Sequence, residues 1–413
     1  MSEKLILGEN TVYDIENYIG VNSHVCVFGG SGSGKSHSVV KPNLFSFSDA
    51  GSSLIISDPK GALEKEFRGY LQNKGYHTYV IDLINPEKST SSFNPIDYIS
   101  SEIDFIKLAH RIVYSDPLTR NSTHQDPYWN RQAEILLSML LELVLMVEDE
   151  GKETFDKVMY YASNITTDGT GITNLIMDRI ESERKDCLAS KQWIKIKGLM
   201  SAEKTFSCVV SSLQEHLGRY ESEEMAAFFN KKEKIYFETF AREKSALFLK
   251  ISDTDDTYYD LANIIYGQAI DSVSKVADST ENGRCQIPVR FILDDFATNA
   301  WVEGMPRIIS TARARNISFM LMCQSVQQLR MGYGDDAQTI ITNCDNLVFM
   351  GTNDIDTARE FSIRLDLPVS DLLYKKRGRI YVFRAGERPI EDNRYDYRKH
   401  TSYKYLEGIK NVR

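Results

Sequence analysis

One stretch, Gly29-Gly30-Ser31-Gly32-Ser33-Gly34-Lys35-Ser36, restricts the folds open to this chain more than any other. It fits G-x-x-x-x-G-K-[ST], the pattern of a phosphate-binding loop. Its setting also fits. Residues 25–28, Val-Cys-Val-Phe, read as a buried strand, and the residues from Lys35 onward read as the start of a helix. The chemistry needs that order. Glycines let consecutive backbone N–H groups turn toward one anion, and a helix N-terminus adds partial positive charge. Lys35 would reach the β- and γ-phosphates of a nucleotide, and the Ser36 hydroxyl would ligate Mg²⁺.

Short β-rich apolar runs at 25–28, 54–57, 79–83, 246–251, 289–293, 319–323, 347–350 and 380–383 mark a mostly parallel sheet. Several are continuous rather than alternating, as in strands buried on both faces. Helix-like segments lie between many of them, the pattern of a doubly wound α/β nucleotide-binding domain. From about 101 to 234 the periodicity is helical, at 103–113, 129–147, 155–162, 171–183 and 206–217, with no convincing strand. The expected organisation is a nucleotide-binding domain over 1–100 and 235–413, with an all-α domain inserted at 101–234.

Hydrolysis needs a second carboxylate-bearing strand and a group that senses the γ-phosphate. Phe291-Ile292-Leu293-Asp294-Asp295 supplies the strand, more than half the chain away from Lys35. Asp294 would emerge at its carboxyl end, where ligands bind in open α/β sheets. It would hold the Mg²⁺ shell together with Ser36, and Asp295 would orient and polarise the attacking water. The strand at 319–323 ends at Gln324, whose amide would bond the γ-phosphate or that water. Arg313, in Thr311-Ala312-Arg313-Ala314-Arg315, reads either as a basic turn or as an arginine finger for a neighbouring subunit.

The 413 residues are 42% hydrophobic and 26% charged, values of an ordinary globular protein long enough for two domains. A net charge of −9 argues against coating nucleic acid through bulk charge, though not against a local basic lining. The six cysteines form no C-x-x-C pair, so neither a zinc site nor a disulfide framework is expected. No signal-peptide pattern opens the chain, and the most apolar stretch, 135–147, contains Glu142 and is too short to span a bilayer. It reads as a core helix, and the chain as soluble. Basic segments considered for contact with DNA phosphates are Asp58-Pro59-Lys60-Gly61, 191–197, Arg330 with Tyr333, and Lys375-Lys376-Arg377-Gly378-Arg379.

In combination these residues resemble the TraG-like coupling proteins of conjugative type IV secretion, in the HerA/FtsK superfamily of ring-shaped P-loop motors. The resemblance spans most of the chain. It is carried by 27–36 with Lys41-Pro42-Asn43-Leu44, Asp58-Pro59-Lys60-Gly61, Phe93-Asn94-Pro95, Asp126-Pro127-Tyr128-Trp129, Lys244-Ser245-Ala246-Leu247-Phe248, Asp294-Asp295-Phe296-Ala297, 309–328, Asn343-Cys344-Asp345 and 384–389. The resemblance implies a RecA-like domain with an all-α insertion, ATP and Mg²⁺ as cofactors, and ATP hydrolysis by a homohexamer. It implies a cytoplasmic protein peripheral to the inner face of the cell membrane, which brings a relaxase–DNA complex or other cargo to the secretion channel and pumps single-stranded DNA. By position it implies nucleotide binding by Gly29 through Ser36, a metal-shell role for Asp294, a catalytic acid at Asp295, a γ-phosphate sensor at Gln324 and a trans-acting finger at Arg313.

The chain departs from the family pattern in three places. Many members carry Glu at the position of Asp295. The shorter side chain retracts the carboxylate by about 1.5 Å, and a misplacement of about 1 Å can cost on the order of a hundredfold in rate. The usual N-terminal pair of membrane helices is not seen, which leaves a soluble variant, a truncated chain or a membrane partner as anchor. The segment 367–379 is short. Two other readings follow: a nucleotide-gated docking platform with little hydrolysis, and a related motor for duplex DNA or channel assembly.

Overall fold

Uninterrupted runs of β-branched, aromatic and long apolar residues form strands here, and most are covered on both faces. The computed structural model describes residues 2–15, 20–114, 127–298 and 300–410. In chain order the strands are β1 (Lys4–Ile6), β2 (Val12–Asp14), β3 (Val25–Phe28), β4 (Ser53–Ser57), β5 (His77–Asp82), β6 (Ser245–Lys250), β7 (Val289–Leu293), β8 (Ile317–Cys323), β9 (Asn346–Phe349), β10 (Arg379–Arg384) and β11 (Ile390–Asn393). Every residue of β3, β4, β7, β8 and β9 is buried.

Nine strands form one sheet in the order β11-β10-β9-β3-β8-β7-β4-β6-β5. The pairs β9–β3, β3–β8, β8–β7, β7–β4 and β4–β6 are parallel, while β10 runs antiparallel to both β9 and β11. This is the expected mostly parallel α/β sheet, with an antiparallel hairpin at one edge. All eight expected strands are present. Three others, β1, β2 and β11, were not expected. β1 and β2 pair with each other and are pinned to the helix Lys41–Ala50, where the Asn43 side chain accepts from Ile6 N at 2.8 Å and donates to Ile6 O at 2.7 Å.

The chain divides into two units. The first comprises Met1–Val80, Tyr236–Thr254 and Ala269–Arg413, and the second Ile81–Ile235 and Asp255–Gln268. The second therefore begins about twenty residues earlier than the expected boundary at 101 and takes in a short later segment. Within it, the helix Pro127–Val147 packs against Glu102–Tyr114, Leu188–Met200 and Glu203–Leu217. Its core includes Leu136, Leu140, Val144, Trp193, Ile196 and Phe206. Glu142, the carboxylate inside the apolar run, accepts a hydrogen bond from the backbone N–H of Ala189 in the first turn of Leu188–Met200, and burial pushes its pKa up. Asp126, one of the residues that carry the resemblance, lies outside the described residues. Among the described residues no helix is long and apolar enough to cross a membrane.

Candidate nucleotide site

The phosphate loop leaves the carboxyl end of β3, at the middle of the sheet. Gly29 N donates to Cys323 O on β8, and Gly30 N donates to Gly351 O just beyond β9, so both neighbouring strands brace the loop. Gly32 and Gly34 have φ of 70° and 89°, left-handed values that favour glycine. A π-helical turn, Ser36–Val40, runs on into Lys41–Ala50, so the helix starts at Ser36. The Lys35 side chain is 8% exposed and folds back across the loop, its Nζ donating to Gly29 O at 2.6 Å.

Asp294 follows the last residue of β7. The Ser36 hydroxyl donates to Asp294 Oδ2 at 3.1 Å across 258 residues of sequence. The other carboxylate oxygen accepts from Asp295 N at 3.1 Å. Burial, and next the neighbouring Asp295 charge, push the Asp294 pKa up, while the Ser36 hydrogen bond and the Lys35 ammonium oppose that rise. Gln324, one residue past β8, donates from Nε2 to Asp295 Oδ1 at 3.1 Å. The expected residues Lys35, Ser36, Asp294, Asp295 and Gln324 thus meet at the carboxyl ends of three adjacent strands, β3, β8 and β7.

The backbone at this point is unusual. Asp295 and Ala297 have φ of 48° and 72°, two of four non-glycine residues with positive φ among the described residues. Such conformations cost on the order of 1–3 kcal/mol each and persist where surrounding contacts enforce them. Phe296 N donates to Met322 O at 2.9 Å, and the Phe296 ring stacks on Tyr333 with centroids 5.4 Å apart. Asp295 is of a residue type that tolerates the left-handed region, whereas nothing in the sequence signals it at Ala297.

Arg313 lies elsewhere. It precedes the amino end of β8, whereas the phosphate loop follows the carboxyl end of the parallel β3. Seven residues of strand separate the two levels, about 20 Å at roughly 3.3 Å per residue. Its Nη1 donates to Gly20 O at 3.1 Å, and it lines a cavity of about 420 Å³ with Arg284 and Asn346. The structure therefore does not join Arg313 to this chain's own phosphate loop.

The basic segments have mixed settings. Asp58 is buried, its Oδ2 accepts from Glu64 N at 2.8 Å at the start of the helix Ala62–Asn73, and burial pushes its pKa up. Lys60 extends into solvent, 3.6 Å from Asp253. Residues 191–197 belong to the helix Leu188–Met200, with Trp193 and Ile196 in its buried face. Tyr333 packs between Phe296 and Trp301, so its ring is not an open stacking surface.

One residue that the motifs did not indicate also reaches the loop. Arg394, just after β11, places Nη1 3.2 Å from the point a Cβ on residue 34 would occupy. Beside it the segment continues along the loop helix, with His37 Nε2 3.2 Å from Asp396 Oδ1 and the Lys41 ammonium 4.5 Å from the Tyr397 ring centroid.

Residues 2–365 match the family described as Type IV secretory system Conjugative DNA transfer. The chain belongs to that family. Curated relatives of this family member include the conjugal transfer protein TraG of Rhizobium radiobacter, 22% identical over 352 residues that cover 83% of this chain and 52% of the relative. The probable conjugal transfer protein TraG of Sinorhizobium fredii is 22% identical over 359 residues, 85% of this chain and 53% of the relative. The chain thus spans about half the length of the curated relatives it matches. Among solved structures, the plasmid coupling protein TrwB in complex with the ATP analogue ADPNP superposes with a TM-score of 0.68 at 15% identity, covering 91% of this chain and 86% of that one. VirB4 of Thermoanaerobacter pseudethanolicus superposes at 0.63 and 14% identity, covering 97% and 98%. At such identities the likeness establishes a common fold for this conjugative DNA transfer family member.

Proposed function

We propose that the chain is an ATP-driven coupling protein of a conjugative type IV secretion system, which recruits a relaxase–DNA complex and translocates single-stranded DNA. The observation that supports this best is the hydrogen bond from the Ser36 hydroxyl to Asp294, with the Lys35 ammonium buried beside it. In this reading Gly29 through Ser36 bind the phosphates of ATP and Lys35 leaves Gly29 O for the β/γ-phosphates. Ser36 and Asp294 are hard oxygen donors that fit Mg²⁺, an ion that takes one or two protein ligands and completes its shell with phosphates and waters. Among the described residues no group of three His, Cys, Asp or Glu could form an all-protein metal cage, which agrees with that mode. When held by Ser36 and Asp294, Mg²⁺ would supply positive charge that neutralises the negative charge developing on the phosphates. Asp295 orients the attacking water, Gln324 senses the γ-phosphate through its bond to Asp295, and Arg313 serves the site of a neighbouring subunit in a homohexamer. Secretion-channel components and a membrane-anchor partner at the inner face of the membrane complete the assembly. TrwB is described in complex with ADPNP and also with ADP and Mg²⁺, which accords with these cofactors.

ATP hydrolysis measured alone, with single-stranded DNA and with duplex DNA tests the reading. Turnover stimulated by single strands, and reduced on the order of a hundredfold or more in Lys35→Ala, is expected. Stimulation by duplex alone would replace it with a duplex motor. A second reading, the nucleotide-gated docking platform, draws on Asp295, whose short carboxylate is already engaged by Gln324. Tight ATP binding without turnover above background would favour it.

A further inference from the structure

The central strand β3 has two flanks. On one, β8 and β7 deliver Gln324, Asp295 and Asp294. On the other, β9, β10 and β11 lead to Arg394, whose guanidinium rests against the α-carbon side of Gly34. In the site reading above, a triphosphate whose γ end lies by Asp294 places its α-phosphate farther from that flank.

Arg394 is half-buried, and its Nε is buried without a hydrogen-bond partner. Among the described residues no carboxylate forms an ion pair with it. Its backbone N donates to Gly378 O at 2.9 Å, which ties it to the basic loop of Lys375, Lys376 and Arg377. The environment is cationic: burial and the nearby Arg377 charge lower the Arg394 pKa, and burial followed by the Arg394 charge lowers that of Lys375 to about 8. Glu391, the nearby carboxylate, is engaged by Arg379 at 3.2 Å. A half-buried guanidinium with an unused donor beside other cations is costly to hold, and an anion bound between Arg394 and the loop would relieve both the lost hydrogen bond and the repulsion.

We propose that Arg394 is a nucleotide-binding residue of the same subunit, contacting the α-phosphate side of a nucleoside di- or triphosphate on the flank of the phosphate loop opposite Asp294. The inference rests on the nucleotide-site reading above and extends it to a residue outside the motif.

The test is equilibrium binding of fluorescent ATP and ADP with Mg²⁺ to the full chain, its Lys35→Ala, Arg394→Ala, Arg394→Gln and Arg394→Lys variants, with melting temperature of each without nucleotide. Loss of one charge-assisted contact predicts about tenfold to a hundredfold weaker binding in Arg394→Ala and Arg394→Gln. The loss is equal for ATP and ADP, because both carry an α-phosphate, and Arg394→Lys restores part of it. Melting without nucleotide stays level or rises, which a merely structural arginine would not allow. Nucleotide affinity within twofold of the parent in Arg394→Ala, while Lys35→Ala abolishes binding, overturns the inference and leaves the site reading intact. A loss confined to ATP would move Arg394 to the γ-phosphate and also overturn it. So would weakened single-stranded oligonucleotide binding with nucleotide affinity unchanged, since the phosphates recognised would then be those of DNA. Failure of the parent chain to bind either nucleotide removes the site reading itself, and this inference with it.

Discussion

At the residue scale, Asp294 combines two requirements that conflict without a ligand. In the proposed role it is an ionised oxygen donor to Mg²⁺, yet it is largely buried and adjacent to Asp295, and its pKa is raised by both. A carboxyl whose pKa is raised by folding favours the native state while protonated and opposes it once ionised. That advantage is full below the ordinary carboxylate range and is lost as pH rises through the higher native value. Asp294→Asn therefore melts higher than the parent near neutral pH without nucleotide, by about 2 °C, and the difference fades on acidification toward pH 4. Scanning calorimetry across that pH range checks it. On the proposed metal role, the same substitution is expected to remove any gain in nucleotide affinity from added Mg²⁺, because an amide replaces the anionic ligand. The pairing of Ser36 with Asp294 was legible in the sequence because each lies in a motif whose role fixes its strand end. Arg394 was not, since it stands in no motif and reaches Gly34 only through the fold of the β10–β11 edge.

At the element scale, β1 and β2 are three residues each and carry little apolar signal, with burial in β2 only partial. Their position depends on contacts made far along the chain, so period alone could not reveal them. β11 is similar, with one buried residue in four. The helix Leu188–Met200 was missed for the opposite reason. Its lysines obscured a buried face that includes Trp193 and Ile196. The N-terminal hairpin is anchored by a buried ion pair. Arg290 on β7 donates from Nε and Nη2 to the two Glu3 carboxylate oxygens at 2.8 and 2.6 Å, both residues being 4% exposed or less. Ser52 Oγ adds a bond to Glu3 at 2.7 Å. Glu3→Ala leaves the guanidinium buried and unpaired, so it is expected to cost about 3–5 kcal/mol. Replacing both partners, Glu3→Met with Arg290→Met, recovers most of that loss, since the desolvated charge is then gone. Urea unfolding of the three variants measures the difference.

At the scale of the whole molecule, Arg313 and the phosphate loop occupy opposite ends of parallel strands. If Arg313 completes a neighbour's site, Arg313→Ala binds ATP normally but does not turn it over. Mixing it with Lys35→Ala then restores part of the activity, because some interfaces join an intact loop to an intact arginine. Activity across mixing ratios checks this, and no recovery at any ratio rules out sharing between subunits. The same strand order has a consequence for how the protein is made. Both hydrogen-bonding sides of β3 are taken by β8 and β9, which lie near the other end of the chain. On the ribosome, Val25–Phe28 emerges first and waits for partners almost three hundred residues behind it, roughly 15–60 seconds at about 5–20 residues per second. Throughout that interval the nascent chain carries an apolar strand open on both sides, a form prone to pairing with other chains, and the pocket it will build can hold no ligand until synthesis is nearly complete.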